Sequence, residues 1–184
     1  SNSSVSCPTL VTGGTGSRVN LTGSRFESSL KVDLGEKSFL YLADGSFAAM
    51  NATTTRNSSV LFWSNWFSEE IFVWTEFNRF FATDNGFLRG AQLMTYYSSL
   101  HLWDNWFMAQ DELKKFNASL SSNLAIAIRC RAHFVIEENI FFNGTFHISD
   151  VSDKNCDLSI SEHSSLKNNT FSKPHIEFSA AYDV

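Results

Sequence analysis

The feature that most constrains this chain is strict alternation of apolar side chains. Between residues 124 and 136 the even positions are Leu124, Ile126, Ile128, Cys130, Ala132, Phe134 and Ile136, while Arg129, Arg131 and His133 fall on odd ones. Successive side chains of a strand point to opposite faces, so this period of two specifies a strand with one buried face. The same pattern recurs in short pieces. Leu30, Val32 and Leu34 alternate before Gly35-Glu36, a second run covers Ser38 to Leu42, and Ala43-Asp44-Gly45 turns the chain into Ser46 to Met50. This reads as a meander. Val60 to Phe81 fits both an alternating strand and a helical stripe through Trp63, Phe67, Ile71, Trp74 and Phe81, and its β-branched and aromatic content favours strand.

Ile140 to Ile148 reads as a hairpin about Asn143-Gly144. Asp104 to Phe116, rich in good helix formers behind an Asp cap, predicts one short helix. Residues 1–25 are rich in Ser, Thr and Gly and predict an extended amino-terminal arm, leaving 26–184 as a single β-rich domain. The expected architecture is an antiparallel β-sandwich or jelly-roll-like domain. One internal echo stands out, Trp63-Ser64-Asn65-Trp66-Phe67 against Trp103-Asp104-Asn105-Trp106-Phe107, but two copies are too few to predict a solenoid.

Composition then narrows the function classes. A net charge of -5 with no basic run longer than Lys114-Lys115 argues against nucleic acid as a partner. No apolar run reaches the roughly 18 residues of a membrane helix, and the polar opening Ser1-Asn2-Ser3-Ser4 implies that any signal peptide has been removed or lies outside this sequence.

Asn-x-Ser/Thr occurs at Asn2, Asn20, Asn51, Asn57, Asn117, Asn143 and Asn168, seven of 15 Asn residues. With 39 Ser and Thr in 184 residues, chance would supply about three by the acceptor rule. The excess predicts covalent N-linked glycans and an extracellular, secreted or surface location. If glycans supply solvation, the low charged fraction of 18% is expected. Of three cysteines, Cys130 and Cys156 share the apolar parity of their strands and predict a disulfide, leaving Cys7 over.

The chemistry-bearing patterns are sparse. His101, His133, His147, His163 and His175 show no metal-ligand spacing, and Gly-x-Ser-x-Gly is absent, so neither a metal, a cofactor nor a catalytic residue is predicted. Gly13-Gly14-Thr15-Gly16 lacks the Lys-Ser/Thr of a phosphate loop. The acidic pairs Glu69-Glu70, Asp111-Glu112 and Glu137-Glu138 each point to opposite strand faces and form no glycosidase dyad. Trp63, Asn65 and Trp66, and again Trp103, Asp104, Asn105 and Trp106, hold the residue types that stack on sugars and bind hydroxyls, although a chain of this size must also bury aromatics. The expected function is therefore an extracellular structural or interaction protein, assembling with copies of itself or other surface proteins by strand addition. The alternatives are a lectin-like module using the Trp clusters and, behind it, a secreted glycoside hydrolase.

Overall fold

A strand whose apolar residues alternate needs a partner for its backbone and a cover for its apolar face, and this chain obtains both by coiling on itself. The computed structural model describes residues 3–76, 79–96, 99–108, 122–129, 133–150 and 164–180. After β1 (Ser3–Val5) the chain repeats a three-strand coil: β2 (Thr9–Gly13), β3 (Arg18–Thr22), β4 (Ser24–Phe26), then β5 (Leu30–Leu34), β6 (Phe39–Ala43), β7 (Ser46–Phe47). The pattern continues through β8 (Met50–Thr54), β9 (Ser59–Trp63), β10 (Trp66–Phe67), β11 (Ile71–Glu76), β12 (Arg79–Thr83) and β13 (Gly86–Phe87). β14 (Ala91–Tyr96), β15 (Ser99–Trp103) and β16 (Trp106–Met108) follow, and β17 (Ser122–Arg129), β18 (His133–Glu137), β19 (Ile140–Asp150), β20 (Ser165–Lys167) and β21 (Thr170–Ala180) complete the series.

Each strand pairs in parallel with its counterpart in the next coil, as β5 does with β2 and β8. The result is a parallel β-solenoid of about five turns. Its first wall holds β2, β5, β8, β11, β14 and β17; its second holds β3, β6, β9, β12, β15, β18 and β20; its third is the narrow strip of β1, β4, β7, β10, β13 and β16. β19 belongs to both the third and the first wall, pairing with β16 through Phe142 and with β17 from Thr145.

Single left-handed residues make the corners. Gly16, Lys37 and Asn57 turn the first wall into the second; Gly23, Asp44, Ser64, Asp84, Asp104, Glu138 and Asn168 turn the second into the third, all with φ between 52 and 77°. A left-handed non-Gly residue costs about 1 kcal/mol, least for Asn and Asp. The ladder offsets this, because the corner amides still bond to the next coil, Asp44 N to Trp63 O at 3.1 Å and Ser64 N to Thr83 O at 3.1 Å.

Identical residues stack along the inside. Phe26, Phe47, Phe67, Phe87, Phe107, Phe141 and Phe171 form a continuous column with centroids 4.7 to 5.5 Å apart. Where bulk varies, neighbours compensate: Phe62 lies beside Ala82 and Phe80 beside Val60.

Several expectations need correction. The sheets are parallel, so the antiparallel sandwich or jelly roll does not exist, because alternation fixes which side chains point inward without fixing which strand pairs with which. The expected meander is β5 to β8, whose consecutive members are successive sides of a coil and do not pair with one another; β5 pairs instead with β8, one coil on and in parallel. Asn143-Gly144 lies inside continuous β19, at the bend from third to first wall, and not in a hairpin turn. The extended arm is absent: β2, β3 and β4 pair with β5, β6 and β7. In the expected helix, Asp104 is a corner and Trp106–Met108 is strand, while 109–121 lie outside the described residues; no helix occurs among the described residues.

Candidate functional site

The corner between second and third walls carries a four-residue unit: left-handed residue, Asn, any residue, Phe. It occurs as Ser64-Asn65-Trp66-Phe67, Asp84-Asn85-Gly86-Phe87, Asp104-Asn105-Trp106-Phe107, Glu138-Asn139-Ile140-Phe141 and Asn168-Asn169-Thr170-Phe171, with Asp44-Gly45-Ser46-Phe47 ahead of them. The Asn side chain points inward and belongs to the scaffold. Asn85 Nδ2 donates to Phe62 O at 3.1 Å, Thr83 O at 2.8 Å and Asn105 Oδ1 at 2.9 Å. Asn105 Oδ1 also accepts the Asn85 backbone N–H at 3.1 Å. Asn105 repeats the pattern onto Asn139, and Asn139 onto Asn169. The ladder ends at Gly45, whose backbone N–H bonds to Asn65 Oδ1 at 3.0 Å. Each amide spends its acceptor on the neighbouring coil and its donors on carbonyls that a corner would otherwise orphan.

The structure therefore divides the predicted contact residues. Asn65 and Asn105 are buried, and their side-chain amides are engaged in this ladder. All four predicted tryptophans are outside: Trp63, Trp66, Trp103 and Trp106 are 52%, 44%, 49% and 52% exposed. Asp104 is exposed at its corner. Sequence reasoning missed Gly86, which stands between Trp66 and Trp106 on adjacent rungs.

Gly86 shapes the site. The Trp66 indole leans over it so closely that a Cβ there would collide with Trp66 Cε3 and Cζ3. Trp66 and Trp106 lie two rungs apart, about 9.5 Å along the solenoid axis. The resulting shallow cavity of about 340 Å³ is lined by Ser64, Asn65, Trp66, Asp84, Asn85, Gly86 and Trp106. Its outward polar groups are the half-buried Ser64 hydroxyl and the exposed Asp84 carboxylate. Apolar faces bordered by hydroxyl-binding groups suit a ring with one apolar face and polar edges.

Around the corner, Trp103 Nε1 donates to Glu138 Oε2 at 2.7 Å. On the second wall His101 has its pKa lowered from 6.5, first by burial, then by His133 and Arg79, with Glu137 opposing. No carboxylate is among the fully buried groups of the described residues. No cluster of three His, Cys, Asp or Glu suited to a metal occurs among the described residues.

Of the predicted glycosylation sites, Asn20 on β3, Asn51 on β8 and the corner residues Asn57 and Asn168 are exposed. Asn143 lies on β19, and Asn2 and Asn117 lie outside the described residues. Cys130 and Cys156 also lie outside them, while Cys7 is exposed with a free thiol, so no disulfide is found among the described residues. Among the described residues no helix is long and apolar enough to cross a membrane. Comparison with protein-family models, curated proteins and solved structures found no match to this chain.

Proposed function

We propose that this chain is an extracellular, N-glycosylated interaction protein, without catalysis, whose Trp66–Gly86–Trp106 slot binds an extended carbohydrate. The observation that carries the reading is a pair of exposed indoles held on a rigid ladder either side of a rung that lacks a side chain. Exposed large aromatics on a rigid surface mark interaction sites. Their strand positions lie two rungs apart along the axis, and Asp84 and Ser64 stand beside them to pair with hydroxyls. Exposed sequons at Asn20, Asn51, Asn57 and Asn168 support the location.

The test is a glycan array probed with the full chain. Trp66→Ala with Trp106→Ala reduces binding at least tenfold while leaving the far-UV spectrum unchanged, and Gly86→Val weakens it by displacing the Trp66 indole. Binding that survives the double substitution sinks the site, and silence across a broad array sinks the carbohydrate reading. A second reading, filament growth by strand addition, is favoured by the terminal positions of β2 and β3 in their sheets. Electron microscopy at raised concentration showing only single particles removes it.

A further inference from the structure

The outer surface of the second wall supplies an inference independent of the carbohydrate reading. Its middle column is Tyr41, Leu61, Phe81, His101 and Val135 on successive rungs. The matching first-wall surface bears Lys31, Asp33, Asn51 and Thr53 on β5 and β8, and Phe72 and Trp74 on β11. A two-layer interior explains neither choice, since both surfaces face outward. The second wall differs in that its middle column bears no formally charged side chain from Tyr41 to Val135 and is flanked by the exposed Phe39, Trp63 and Trp103.

On β9, β15 and β18 the positions flanking that middle column are complementary in size or charge; Arg79 and Thr83 on β12 are not. On β6 the large Phe39 is followed four residues on by small Ala43; on β9 small Ser59 is followed by Trp63. On β15 Ser99 is followed by Trp103, and on β18 basic His133 by acidic Glu137. A two-fold axis parallel to the solenoid axis places every rung against itself with its ends exchanged. Ser59 then faces the partner's Trp63, Ser99 the partner's Trp103, and His133 the partner's Glu137, while Phe39 lies over the partner's buried Ala43. An isologous interface demands this self-complementarity.

We propose that the outer face of the second wall is the dimer interface of this protein, occupied by a second copy in this two-fold arrangement. Six strands from β6 to β20, at about 4.8 Å spacing and about 16 Å length, bury about 900 Å² over both copies, below the roughly 1,200 Å² of stable interfaces, so the dimer is a weak, concentration-dependent one. Asn20, the one exposed sequon on this face, lies on β3, the terminal strand of its sheet, where a glycan can lean past the end. No other sequon of a described strand lies on the second wall.

Sedimentation equilibrium of the full chain tests this, with a dimer expected at twice the 20.7 kDa polypeptide mass plus glycans. Ser59→Trp sets two indoles against each other and raises the dissociation constant at least tenfold. Adding Trp63→Ser to it restores association, because each rung meets itself. If the Ser59 variant fails to fold by circular dichroism, His133→Glu disrupts the dimer and Glu137→Lys in the same chain rescues it. A chain that stays monomeric at hundreds of micromolar overturns the proposal. So does a dimer insensitive to both sets of changes, or one lost through Trp66→Ala with Trp106→Ala, which lie on another wall.

Discussion

The two sides of the Asn corner obey different rules. Inside, one residue type repeats at nearly every rung: Asn65, Asn85, Asn105, Asn139 and Asn169 in one column, seven Phe in the next. Outside, the rungs bear Ser46, Trp66, Gly86, Trp106, Ile140 and Thr170 in one column. A stacked amide or ring finds its best partner in a copy of itself, so the inside is uniform. The outside has no such requirement, and the alternation of Trp with Gly there points to recognition.

The comparison can be broken from the inside first. Phe87→Ala opens a cavity between Phe67 and Phe107 and costs about 3–5 kcal/mol in urea unfolding. A loss under about 1 kcal/mol would mean that the column is loosely packed. Asn105→Ala strips the donors of Ala82 O and Trp103 O and the acceptor of the Asn85 amide, for roughly 3 kcal/mol. Asn65 should suffer less, because the rung before it has Gly45 and no amide side chain. Equal losses would show that the ladder does not act as a chain.

A smaller effect comes from His101. Its folded pKa lies below the unfolded 6.5, so the unfolded chain takes up the proton first and stability falls as pH drops below about 6.5. Thermal melts of the parent and His101→Gln between pH 5 and 8 check this; the substitution flattens the slope. The smallest effect belongs to the outside. Trp66→Ala with Trp106→Ala shifts unfolding by no more than about 0.5 kcal/mol per site. A larger loss would move these residues from recognition to structure.

The alternation was legible, and with it strands such as Leu30–Leu34, but the run from 124 to 136, read as one strand, is divided between β17 on the first wall and β18 on the second, because alternation continues in phase from one wall to the next. The repeat was partly legible. The Trp66 and Trp106 units resemble each other because both carry Trp, but the copy between them has Gly86 in that place, so the period read as 40 residues when coils recur every 20. Later units are spaced by 34 and then 30 residues, which hides them from a search at fixed period. Aligning on Asn and Phe alone would have recovered them. The aromatics divided by location: the Phe of each unit through Phe141 is buried and Phe171 partly so, while Trp66 and Trp106 are exposed.

By itself the sequence determined the strands, their inward faces and the sequons, because these depend on neighbours one or two residues away. Tertiary structure decided parallel pairing, the amide ladder and the placing of Trp66, Gly86 and Trp106 on one strip. Those depend on which segments the left-handed corners bring into register, about 20 residues apart, and alternation alone carries no information at that range.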